Sequence, residues 1–209
     1  MPSKRWISVM AQGEATVAPD LALVSFAVTG SGKELAPTRD DVTTRSSTVL
    51  AKLRDLGIAE ADINAADVGI HPEYDYRKGQ RLIGYRVVRQ MTARVRDLNA
   101  LGGVLDGIVA AGANEVGGAQ MTASDPSAAE HEALRTAVAA ARAKAEALAS
   151  AAGVSIGEVA RIEEDAGPGM VPMPRFKAMG AMETADVATE VATGDLTVTR
   201  QVRAWFAIA

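Results

Sequence analysis

Ile7, Val9, Ala11, Gly13, Ala15 and Val17 alternate with Ser8, Met10, Gln12, Glu14 and Thr16. A period of two marks a strand with one face buried and the other wet. Pro19-Asp20 is a turn signal, and Ala22, Val24, Phe26 and Val28 then alternate up to Gly30. Two such runs around a turn predict a β-hairpin. The period then changes. After Pro37, which fits the first turn of a helix, Val42, Val49, Leu50, Leu53 and Leu56 recur at helical spacing. Gly57 stands where a helix C-terminal cap belongs. Val68, Ile70 and Tyr74 alternate again around Pro72, a residue that sheets tolerate on an edge strand or at its end.

A connection from Tyr76 to Gly79 leads to Ile83, Tyr85, Val87, Met91, Ala93 and Val95, a long strand whose other face carries Arg86, Arg94 and Arg96. A second helix is expected from a cap at Asp97 or Asn99, through Leu101, Val104, Leu105 and Ile108, to Gly112. Asn114 to Ser124 is a weaker strand around Val116 and Met121. Ser124-Asp125-Pro126 is the sharpest helix start, a capping side chain followed by proline. Leu134, Val138, Ala141, Ala145, Leu148 and Ala152 then repeat at spacings of four and three until Gly153. A strand over Val154 to Glu163 follows, and Leu196, Val198, Val202, Ala204, Phe206 and Ile208 form the last one.

The order ββα-ββα-βα-ββ predicts an α+β fold of mostly antiparallel strands with helices on one face. Residues 1–209 read as a single domain that admits two subdomains. The first two ββα units have the outline of a loose repeat without residue-level identity. Residues 165–194 lack periodicity and hold Pro168, Pro172 and Pro174 among glycines and methionines. They are expected to be a flexible Pro/Met-rich insertion outside the core.

Composition narrows the chemistry. Of 209 residues 48% are hydrophobic and 23% charged, ordinary for a globular chain, and there is no cysteine. That removes disulfides, a thiol nucleophile and thiolate metal sites. A net charge of −4 argues against a dedicated nucleic-acid binder. No apolar run reaches the ~20 residues of a membrane span. The basic start from Met1 to Trp6 has no apolar core segment behind it, so the chain reads as cytoplasmic, or as exported with its leader removed before residue 1.

One set of stretches resembles a known family in order and spacing. They are Val9 to Asp20, Leu56-Gly57-Ile58 with Asp62-Ile63, Pro72-Glu73-Tyr74-Asp75-Tyr76, Gly84-Tyr85-Arg86, Val95-Arg96-Asp97-Leu98, Ala111-Gly112-Ala113-Asn114 and Ala141 to Ala145. Together they are similar to SIMPL-domain proteins, the DUF541 or YggE-like family, from about Ile7 to Ile208. The resemblance implies export to the periplasm or envelope, homo-oligomers that are ring-like in some members, and a link to oxidative-stress resistance. An animal member has a kinase-signalling partner. The family offers no catalytic residues to carry over.

The residues themselves offer little catalysis. His71 and His131 are the only histidines, too few for a metal site of three or four converging ligands. Gly30-Ser31-Gly32-Lys33 echoes a phosphate loop, but Ala27 stands where its first glycine belongs and Glu34 where Ser or Thr must hold magnesium. Asp62, Asn64 and Asp67 echo a calcium loop without its glycine or closing glutamate. Arg81, Arg86, Arg89, Arg94 and Arg96 suit a polyanion or, more simply, neighbouring acids. Glu163-Glu164-Asp165 and Glu73 with Asp75 are the carboxylate candidates. Met170, Met173, Met179 and Met182 form two Met-x-x-Met pairs, a soft-ligand set suited to Cu(I). The expected function is a non-catalytic, homo-oligomerising interaction protein. It requires no cofactor and acts with itself and a further protein as partners. The alternative is an enzyme with a carboxylate-based site.

Overall fold

The computed structural model describes residues 5–77, 79–164, 173–174 (backbone only) and 194–209. Alternation along β2 (Leu21–Gly32) and β5 (Arg81–Val95) puts Ala22, Val24, Phe26 and Val28 beside Val87, Met91, Ala93 and Val95. That face is covered by Val42, Val49 and Leu53 of α1 (Leu35–Asp55) and Leu101, Val104 and Ile108 of α2 (Leu101–Ala110). β6 (Glu115–Thr122) pairs with the far side of β2, and two short strands, β3 (Ile63–Ala65) and β4 (Gly69–Asp75), share the free side of β5. The sheet is antiparallel throughout, with the βαββαβ connectivity of a split βαβ unit.

This unit occupies Asp20–Thr122, and a second compact unit is assembled from the two flanking parts of the chain. In the second, β9 (Leu196–Ile208) lies between β1 (Trp6–Val17) and β7 (Ile156–Glu164). A two-residue strand, β8 (Met173–Pro174), also pairs with β9. α3 (Ser127–Ala151) covers one face of this sheet. The fold is therefore α+β with antiparallel sheets, as the pattern predicts.

The predicted hairpin between the first two strands does not form. β1 pairs with β9 from Trp6 opposite Ala207 to Val17 opposite Leu196, while β2 pairs with β5 and β6. Pro19-Asp20 is the passage from one unit to the other. Turn residues report a break in the strand, not the partner of the strand that follows. The two opening ββα units are accordingly no repeat, since β1 and β2 belong to different sheets.

The helix ends follow the sequence closely. Ile58, Ala113 and Val154 each donate their N–H to the carbonyl five residues back, and the preceding Gly57, Gly112 and Gly153 have φ of 81°, 117° and 70°. All three are Schellman caps, which need a left-handed residue at that place. Asp125 Oδ1 accepts from the Ser127 N–H at 3.0 Å, opening α3 as expected.

The buried face of α3 differs from the expectation. Its centre is Ala129, Ala133, Ala137, Ala141, Ala145 and Ala149 at strict intervals of four, whereas Leu148 is 48% exposed. The cause is Gly13 on β1. A Cβ there would lie 2.1 Å from the Ala133 carbonyl oxygen, so the helix backbone rests directly on the strand. At that separation only methyl side chains fit in the seam.

Candidate functional site

In the Asp20–Thr122 unit the side chains of β5 alternate between the core and the opposite face. That opposite face takes Arg86, Val88, Gln90, Thr92 and Arg94. Register then fixes the neighbours: His71 of β4 lies opposite Arg86, Glu73 opposite Gly84, and Ala27 of β2 opposite both Gln90 and Glu115. Arg86 Nη2 reaches Glu115 Oε1 at 2.9 Å, joining β5 to β6 across β2. His71, Glu73, Arg86, Val88, Gln90 and Glu115 line a shallow depression of about 470 Å³. A second depression beside it, about 450 Å³, adds Ser25 and Thr92.

This surface offers one cation matched by one carboxylate, a second carboxylate, an imidazole and an amide. It can hold a polar group by exchanging hydrogen bonds with water. Among the described residues no group of three His, Asp or Glu side chains is arranged to hold a metal ion. Sequence reading named His71, Glu73 and Arg86 separately. It missed Gln90 and Glu115, because only strand register brings residues so distant in sequence into one row.

The remaining candidates have other partners. Arg96 grips Asp62 through both carboxylate oxygens at 2.8 Å. Asp62 is nearly buried, and its hydrogen bonds from Arg96 hold the carboxyl below the usual aspartate range against the opposing pull of burial. Arg94 adds to that shift and lines a recess with Asp62 and Arg96. Arg89 Nε donates to the Ala66 carbonyl at 3.3 Å. Arg81 lies opposite Asp75, whose carboxyl is held low by hydrogen bonds from Arg77.

Gly30 and Gly32 do not cradle phosphate. Added Cβ atoms would lie 2.9 Å from Val42 Cγ2 and 2.3 Å from Thr38 Oγ1, so these glycines admit α1 against β2. Of the calcium-like set, Asp62 is committed to Arg96 and Asn64 lies in β3. His131 is exposed on α3. Glu163 pairs with Arg161, and Glu164 with Arg200 at 3.6 Å. Asp165, Met170, Met179 and Met182 lie outside the described residues, as does the Met173 side chain; the Met173 backbone pairs with Thr197.

The stretches carrying the family resemblance can now be sorted by what they do. Gly13 admits α3, Gly57 and Gly112 cap helices, Asp62 and Arg96 pair, and Ala141 and Ala145 form the helix seam. Gly84 lies so close to β2 that a Cβ would come 2.7 Å from the Gly32 carbonyl oxygen. Asn114 accepts from the Thr29 N–H at 2.7 Å and donates to the Thr29 carbonyl at 2.9 Å, standing in for one more strand residue. These are duties of construction. Pro72 to Tyr76 differ: Tyr74 and Tyr76 are exposed.

Comparison with known proteins agrees with this pattern. The sequence model of the SIMPL family, described as a protein of unknown function (DUF541), matches residues 7–206. The 26 kDa periplasmic immunogenic protein of Brucella melitensis is 34% identical over 90% of this chain and 79% of its own length. The uncharacterized protein YggE of Edwardsiella ictaluri is 34% identical over 72% of this chain and 65% of its own. That of Escherichia coli is 30% identical over 62% and 54%. A match over nearly the whole chain, on residues with identifiable structural duties, makes this protein a member of the SIMPL family.

Proposed function

We propose that this protein is a non-catalytic, self-associating interaction protein of the periplasm or envelope. The observation that carries the reading is the outer strand of the β1-β9-β7 sheet. β7 is an edge strand, and Val159 and Ile162 on it are 42% and 45% exposed. Among the described residues it pairs only with β9. An exposed apolar edge is a template for another strand, and a second copy of the same edge supplies one. The word periplasmic in the name of the Brucella relative supports export over the cytoplasmic expectation.

The enzyme alternative finds its best candidates in Glu73 and Glu115 beside His71. They sit on an open sheet face rather than in a closed cleft. Acid–base pairs that divide their roles do so by desolvation, and a shallow surface supplies little of it.

Light scattering across the micromolar to millimolar range tests the reading. The native protein should show a multiple of its 21.7 kDa chain mass. Val159→Lys with Ile162→Lys should shift it towards the monomer, as charges on an edge oppose pairing. A native monomer throughout that range removes the proposal.

A further inference from the structure

The recess beside Arg94 is separate from the sheet-face depressions and from the β7 edge. It lies where the end of β5 meets the chain leaving α1, and its volume is about 430 Å³, within the range of small-molecule sites. Gly57, with its left-handed φ of 81°, turns the chain out of α1. Leu56 and Ile58 on either side of it pack against the core and line the recess, and Ala59 and Ala100 extend this apolar wall.

The polar lining is Asp62, Arg94, Arg96 and Asp97. Half of that set is committed internally, because Arg96 takes both oxygens of the nearly buried Asp62. The other half is not. Among the described residues Arg94 makes no hydrogen bond or ion pair, although its charge reaches Asp62. Asp97 spends Oδ1 on the Asn99 N–H, and its second oxygen has no described partner. Most arginines of the Asp20–Thr122 unit are held otherwise: Arg39, Arg45, Arg54, Arg77 and Arg86 by carboxylates, and Arg89 by a carbonyl. Arg81, at the exposed start of β5, is the other arginine there without such a hold.

An unpaired guanidinium fits a carboxylate, which it grips through two parallel N–H bonds. A free carboxylate oxygen in the same recess fits an ammonium group. A simple anion would gain Arg94 but face Asp62 and Asp97, and a simple cation would face Arg94. A zwitterion satisfies both and leaves the balanced lining neutral. We propose that this recess binds a free α-amino acid with an aliphatic side chain. Its carboxylate meets Arg94, its ammonium meets Asp97, and its side chain lies along Leu56 and Ile58. A peptide terminus does not suffice, because it offers one of the two charges and not both on one carbon. Asp62 is satisfied by Arg96, which keeps Arg94 available. The inference stands apart from self-association and uses a different part of the chain.

Saturation-transfer difference NMR on the full chain tests it with L-leucine and three relatives. Leucine should bind with a dissociation constant of about 1 mM, the scale for so small a ligand. Leucinamide lacks the carboxylate and stands for a peptide N-terminus. N-acetylleucine lacks the ammonium and stands for a C-terminus, and glycine lacks the side chain. Each of the three should bind about tenfold more weakly. Arg94→Gln and Asp97→Asn should each weaken leucine about tenfold. Melting should not change, since both side chains are exposed and asparagine keeps an oxygen for the Asn99 N–H. No leucine binding up to about 50 mM, equal affinity for any of the three relatives, or full affinity in either variant overturns the proposal. If a variant melts early, the ligand series still decides, because it uses the native protein.

Discussion

Asp62 shows how much of this protein's chemistry is spent on holding its shape. Its carboxylate is 9% exposed and takes two hydrogen bonds from Arg96. Read along the sequence, Asp62 suggests a calcium ligand, because its neighbours Asn64 and Asp67 are visible and its true partner is 34 residues away. Asn114 has the same history: an unremarkable residue in a family-like stretch that completes the hydrogen bonds of Thr29, 85 residues earlier. Long-range pairs of this kind become legible only with register. The Asp62–Arg96 pair predicts a pH dependence whose sign is fixed. A carboxyl held low in the folded state contributes stability above its unfolded titration and loses it as the pH falls below about 4. Glu60, Asp75 and Asp125, held low by Arg54, Arg77 and Ser127, add to the same acid limb. Asp62→Asn should therefore lower the urea midpoint at pH 7, and its deficit relative to the native protein should shrink towards pH 3. A deficit constant across that range would assign the cost to packing instead of charge.

At the scale of elements, what could be read was local. Helix starts and stops rest on a few adjacent residues, and Asp125, Gly57, Gly112 and Gly153 are where the sequence puts them. Which strand pairs with which, and which stripe of a helix faces inward, depends on distant partners. α3 is the clear case. Leu134, Val138 and Leu148 look like its core stripe, but Gly13 brings the strand so near that the alanine row takes the centre. Leucines are displaced to the margins, and Leu148 faces water. This inverts the usual cost of substitution. Ala141→Leu forces a side chain into a seam with no room and should cost about 2 kcal/mol. Leu148→Ala should stay within about 0.5 kcal/mol, as for other exposed positions. Urea unfolding of the two variants checks the ranking, and a larger loss for Leu148→Ala would mean that α3 is rotated about its axis from the orientation described.

The whole chain divides in a way that neither composition nor linker signals announce. No Gly/Ser tract or charge run marks the boundaries; only Pro19 on one side and the Ser124-Asp125-Pro126 helix start on the other stand near them. Yet, among the described residues, the buried core of the Asp20–Thr122 unit draws on its own residues, from Ala22 to Ala113. Its two ends also meet: the Asp20 N–H donates to the Thr122 carbonyl at 3.2 Å, and Leu21 lies opposite Thr122 in the sheet. A segment whose termini are adjacent and whose core is its own has the anatomy of an inserted domain. The flanking unit is the reverse. Its central pairing joins the first strand to the last, Trp6 to Ala207, so almost the entire sequence must be present before it closes. Pairing at such separation is entropically costly and slow. The fragment 20–122 should therefore fold alone, with one cooperative urea transition, a dispersed amide spectrum and a stability of about 5–10 kcal/mol. The complement test removes residues 196–209. That chain should lose the β1–β9 sheet while amides of β2 and β5 keep their slow exchange. A fragment 20–122 that stays collapsed without a cooperative transition would mean that the inner unit depends on the outer one, and the insertion reading would fall.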